Sequence, residues 1–286
     1  MSPIEPNMPT DGAFSQRPMM RRFRRSGGGS ACLALLTLAL IGLAALSPAA
    51  ARAAGCPTTF DTGVVARGLD AHGDIALADG RTIRLAALVD ITASPDPARR
   101  AALGRLVAGQ TLALAMADSS PDRYGRLAAL VRLPDGRLLQ QAALERGLAV
   151  ARPEAGYIGC MPELIAAERP ARAAGLGVWA HLPLKAAPPE ALARAAGHFS
   201  VVAGRVLTVG STRRLDYLNF GPVWRQDTTV RVDESGRAAL KARGLDVASL
   251  AGREVILRGD VDLADGPLID LRWAEQMEVV AEAAKP

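Results

Sequence analysis

An arginine held at the mouth of a strand can grip a phosphate through two parallel N–H bonds. The run Asp122-Arg123-Tyr124-Gly125-Arg126 would present Arg126 in that way. A glycine between an aromatic residue and an arginine suits a tight turn, and the apolar run Leu127 to Val131 reads as the strand it enters. A solvated surface loop accounts for the same five residues, so their weight depends on their neighbours. A second cluster, Arg213, Arg214, Tyr217, Phe220, Trp224 and Arg225, sets cations beside aromatic rings, as a stacking groove for single-stranded nucleic acid would. The alternative is that Tyr217 and Phe220 fill a core and the arginines are solvated. His72, His181 and His198 stand isolated, which argues against zinc chemistry. Nothing in the motifs calls for a small-molecule organic cofactor.

Between Val64 and Trp179 the chain reads as five strands with a helix after the third and two helices at the end. The expected strands are Val64 to Leu69, Asp74 to Leu77, Thr82 to Val89, Thr111 to Met116 and Arg126 to Leu133. The expected helices are Ala98 to Val107, Leu138 to Arg146 and Cys160 to Ala174, with Pro170 placed to kink or split the last. This order is that of a five-stranded Greek-key barrel of OB type capped by helices. Pro183, Pro188 and Pro189 among alanines mark residues 181–197 as a linker. Beyond it, strand-strand-strand-helix-strand-strand repeats the order, which predicts a second, smaller OB-like β domain over residues 198–282. Ser235 is the expected N-cap of its helix and Gly244 the residue just past its end.

The net charge of +5 invites a polyanion partner, but six arginines and only two acids lie in residues 1–53. The rest carries 28 basic and 27 acidic residues, so anion binding there depends on local clusters rather than on the overall field. Arg21, Arg22, Arg24 and Arg25 precede the apolar stretch Ala31 to Leu46, then Ser47-Pro48 and the small-x-small triplet Ala51-Arg52-Ala53. These are the three parts of a secretory signal peptide, which predicts an exported protein, periplasmic or secreted. The alternative is an uncleaved inner-membrane anchor formed by residues 31–47, the one route to membrane association. Cys32 belongs to that segment. Cys56 and Cys160 remain as an even pair bound for an oxidising compartment, and a disulfide between them is expected.

Several motifs of residues 57–180 together resemble the thermonuclease (micrococcal-nuclease-type) family. They are Gly73-Asp74, Ile83-Arg84-Leu85, Leu88-Val89-Asp90, Asp122 to Arg126, Ala143 to Ala149, Ala167-Glu168, Ala171-Arg172 and Gly177-Val178-Trp179. The resemblance implies a calcium-dependent phosphodiesterase acting on DNA or RNA. Carried over by position, Asp74 and Asp90 match the calcium carboxylates, Ile91 a backbone carbonyl ligand, and Arg84 and Arg126 the two catalytic arginines that grip phosphate. A hard cation takes oxygen ligands, and two guanidinium groups suit the charge that grows on a five-coordinate phosphorus.

The departure is at the general base. Ala93 stands where the family carries a glutamate that handles the attacking water's proton, and a positioned base is worth roughly 10²–10⁴ in rate. Asp96 could serve only by a different loop path. Two readings follow: a nuclease with a weakened or relocated base, or an inactive nuclease-like barrel that binds nucleic acid or an envelope protein. The second domain carries Asn219-Phe220-Gly221 and the strand Gly252 to Gly259, which resemble the tails of exported thermonuclease-like proteins and imply no activity.

Overall fold

The structure, a computed structural model, describes residues 55–90, 96–223 and 225–280. The signal-like segment, the stretch 91–95 with Ile91 and Ala93, and Trp224 lie outside the described residues. Among the described residues no helix is long and apolar enough to cross a membrane.

Period-two alternation of apolar residues builds the first barrel. Its elements are β1 (Val64–Leu69), β2 (Ile75–Leu77), β3 (Thr82–Leu85), β4 (Leu88–Val89), α1 (Pro97–Val107), β5 (Thr111–Ala115), β6 (Arg126–Arg132), α2 (Leu139–Leu144), β7 (Val150–Ala151) and α3 (Met161–Ala173). Five strands close in the order β1-β2-β3-β6-β5, with β3 and β6 parallel, as an OB-type barrel requires. Ile75, Leu77, Leu112, Leu114, Ala129 and Val131 alternate inward to make its core. The expected third strand is two strands. It breaks at Ala86-Ala87, where Ala87 takes a left-handed φ of 59°, and β4 leaves the barrel to pair with β7. The buried Gln140 of α2 holds this break: its Nε2 donates to the carbonyls of Ala86 and Ala129, and its Oε1 accepts from the Val131 amide. The α3 helix runs through Pro170 to Ala173 rather than splitting. The loops after α2 and α3 touch backbone to backbone, and a Cβ on Gly147 would lie 2.2 Å from the Leu176 carbonyl oxygen. The Cys56–Cys160 disulfide is present, across a separation of 104 residues.

The second domain contains β8 (Leu184–Lys185), α4 (Glu190–Ala193), β9 (Phe199–Arg205), β10 (Thr208–Ser211), β11 (Asp216–Asn219), β12 (Thr229–Val232), α5 (Glu234–Ala242), β13 (Glu254–Ala264), β14 (Gly266–Leu271) and β15 (Met277–Val279). Its sheet runs β10-β11-β12-β14-β13-β9-β8, and β12 pairs with β14 in parallel, which repeats the OB-type order. The strand expected at Ser200 to Val209 breaks at Val206-Leu207, so β9 pairs with β13 and β10 with β11. Two residues thus join strands near opposite ends of the path, and the sheet must curl toward closure. Asp233, not Ser235, caps α5: its Oδ1 accepts from the Gly236 amide and the Ser235 hydroxyl. The earlier cap wins because the helix begins one residue before Ser235. Within the Pro/Ala-rich stretch, β8 pairs in parallel with β9, and Ala186 and Leu192 join the second core.

The two domains share a hydrophobic cluster. Val150, Ala171, Val178 and Trp179 of the first pack with Phe199 and Val201 of the second. Beside them Arg258 of β13, fully buried, reaches the first domain and donates to Glu168 of α3 at 3.0 and 3.2 Å. It also donates to the Ala151 carbonyl and to Glu278.

Candidate functional site

Parallel pairing of β3 and β6 sets Arg126 opposite Thr82 and Arg84 opposite Ala128. Residues two apart on a strand share a face, so both guanidinium groups rise from one side of the barrel rim. Asp74 precedes β2 and lies one step beyond the Ile75–Ile83 pair, which brings it to the same rim. Its turn is pinned by Asp70, whose Oδ1 accepts from the amides of His72 and Asp74.

Each grip is already engaged by this chain's own carboxylates. Arg126 bonds Asp74 at 3.1 Å and Asp122 at 2.8 and 2.9 Å. Gly125, at φ 77°, allows the turn in which Asp122 Oδ1 also accepts from the amides of Tyr124 and Arg126. The Arg126 side-chain bond, above all, together with these amides, holds the Asp122 carboxyl down at about 2, against an ordinary 3.8. Because the folded value is the lower one, the contribution of Asp122 to stability is present above pH 3.8 and disappears as pH falls through about 2. An NMR titration of the Asp122 carboxyl is expected to show its midpoint near 2; a midpoint at the ordinary value would mean the turn does not persist in solution. Tyr124, 64% exposed, lies under both Arg123 and Arg126.

Arg84 is held by Glu154 of the β7–α3 connection through both carboxylate oxygens, at 3.1 and 2.5 Å. That bond raises the Arg84 pKa further, against burial and the nearby charge of Arg126. Burial pushes the Glu154 carboxyl up, but bonds from Arg84 and the Ala87 amide outweigh it, and the net direction is down. Sequence reading missed Glu154. No local spacing could have shown it, because 70 residues separate it from Arg84.

The candidate calcium carboxylates fare similarly. Asp74 and Asp90 line one open cleft of about 460 Å³ with Arg84, Asp96, Arg99 and Arg152. Asp90 pairs with the buried Arg99 at 3.2 Å, and Asp96 pairs with Arg99 at 3.4 Å. Asp96 also caps α1 through the amides of Ala98 and Arg99, which commits it away from a base's task. Calcium takes about six to eight oxygen ligands. Among the described residues no group of three or more Asp, Glu, His or Cys side chains could hold a metal. A guanidinium sits on each of the two candidate carboxylates, Asp74 and Asp90, so the described donors do not by themselves fit a calcium cage.

On the other side of Arg84 lies a second cleft of about 510 Å³, walled by Arg126, Arg152 and Glu154 from the first barrel and by Asp260, Asp262 and Trp273 from the second. The described members of the second-domain cluster lie on different elements. Arg213 and Arg214 occupy the turn before β11, Arg225 lies in the loop after it, Tyr217 is partly buried on the strand and Phe220 is in the core.

Residues 98–181, from α1 to the turn after α3, match the family described as Staphylococcal nuclease homologue. No curated protein matches the chain.

Proposed function

We propose that this chain, whose first barrel is thermonuclease-like, binds the phosphate backbone of nucleic acid without requiring calcium. The observation that carries the reading is the placement of Arg84 and Arg126 on one face of paired parallel strands, where two guanidinium forks reach one rim. Arg152 lines both clefts and Arg99 the first, each paired with carboxylates of this chain. The matched segment includes Arg126 but begins after Asp74, Arg84 and Asp90, so it supports the nuclease-like scaffold rather than the metal ligands.

Hydrolysis is the second reading, favoured by the family match. It requires a group to take the proton of the attacking water. Ala93 offers none, and Asp96 is engaged as a helix cap. An exported setting is supported by the signal-like N-terminus and by the Cys56–Cys160 disulfide, a bond at home in oxidising compartments.

The test uses a fluorescent oligothymidylate and plasmid DNA, with calcium or with chelator. Binding is expected to weaken steeply with salt and to ignore chelator. Arg126→Ala is expected to weaken it by roughly tenfold or more, as loss of a charge-assisted bond implies. Chelator-sensitive cutting would establish the enzyme reading in its place.

A further inference from the structure

We propose that Glu154 is a built-in occupant of the phosphate seat on Arg84, one that an incoming phosphate must displace. This rests on the phosphate-binding reading above and adds the regulation of that site.

Glu154 presents two oxygens to two guanidinium nitrogens, the same fork that a phosphate would use. The seat is shaped for it: Oε2 also accepts from the Ala87 amide at 3.0 Å, at the residue whose left-handed φ ends β3's path. The ends of the Glu154 segment are fixed. Arg152 pairs with Asp260 and lies over Phe199, while the Tyr157 hydroxyl donates to the Ala128 carbonyl. Between these anchors the Glu154 side chain alone needs to rotate to vacate Arg84. Both partners face solvent in part, with side chains 29% and 22% exposed, and Arg84 borders both clefts. A ligand can therefore approach from either side. The arrangement differs from that at Arg126, which is shared by two carboxylates, Asp74 and Asp122, the latter held in the same turn by the Tyr124 and Arg126 amides.

The experiment measures oligothymidylate affinity for the intact chain and four variants. Glu154→Gln keeps the shape of the side chain and removes its charge. It is expected to tighten binding by about tenfold, the size of a released charge-assisted contact. Arg84→Ala is expected to weaken binding, and the Arg84→Ala/Glu154→Gln double variant to show none of the gain. Asp262→Asn removes a charge from the same cleft without freeing Arg84, and is expected to shift affinity by less than about twofold. Equal tightening in Glu154→Gln and Asp262→Asn would overturn the proposal in favour of general charge. Unchanged affinity in Glu154→Gln with a weakened Arg84→Ala would overturn it while leaving the phosphate reading in place. Equal affinity of wild type and Arg84→Ala would remove Arg84 from the phosphate site and the proposal with it.

Discussion

Replacing Arg258 by alanine is expected to lower the free energy of unfolding by about 3–5 kcal/mol, the usual cost of stripping one partner from a buried ion pair. Arg258 and Glu168 both have fully buried side chains. Removal of the guanidinium leaves Glu168, among the described residues, with the Ala151 amide and the distant Arg172, 4.0 Å away, to balance its charge. It also removes a donor from the Ala151 carbonyl and from Glu278. These groups sit where the two domains share a hydrophobic cluster, so the variant is expected to loosen the domain junction as well as to shift the denaturation midpoint. Arg205→Ala serves as the control. Its pair with Glu254 is exposed at 61% and 51%, and such pairs contribute roughly 0–1 kcal/mol. Urea unfolding of the three proteins decides the matter; equal midpoints for Arg258→Ala and Arg205→Ala would show that the junction is not a buried ionic lock.

Loss of the disulfide is the second large effect. Cys56 and Cys160 close a loop across 104 residues, and in the chain-entropy model a loop near that size stabilises by up to about 4.7 kcal/mol. The bond ties the start of the described chain to the residue just before α3, where Cys160 is buried beside Met161 and Leu164. The Cys56→Ala/Cys160→Ala variant is expected to unfold at clearly lower denaturant concentration than wild type, and wild type is expected to fall to the same level in reductant. A thiol assay on protein purified without reductant should find these two cysteines blocked. Two reactive thiols, or stability indifferent to reductant, would contradict the bond.

What could be read from the chain was what depends on near neighbours. Apolar alternation at Ile75 and Leu77, at Leu112 and Leu114, and at Ala129 and Val131 determined which faces turn inward, because side chains on a strand alternate. The order of strands and helices determined an OB-type path twice over. The Asp122 to Arg126 turn was legible because its bonds close within five residues. With Cys32 assigned to the signal-like segment, only one cysteine pairing remained.

Tertiary structure decided the rest. The break at Ala86-Ala87 lies inside the apolar run Leu85 to Val89, and that at Val206-Leu207 is an apolar pair between Arg205 and Thr208; each exists because the two halves find different partners. Arg258 lies in a strand motif that the sequence marked out without a role; 90 residues separate it from the Glu168 it meets. Glu154 gave no signal at all, yet it sits on the arginine that the resemblance assigned to phosphate. Local pattern sets which face a side chain occupies. Which charge stands opposite it depends on how distant segments pack, and that packing places Glu154 on Arg84, Asp74 on Arg126 and Arg99 on Asp90.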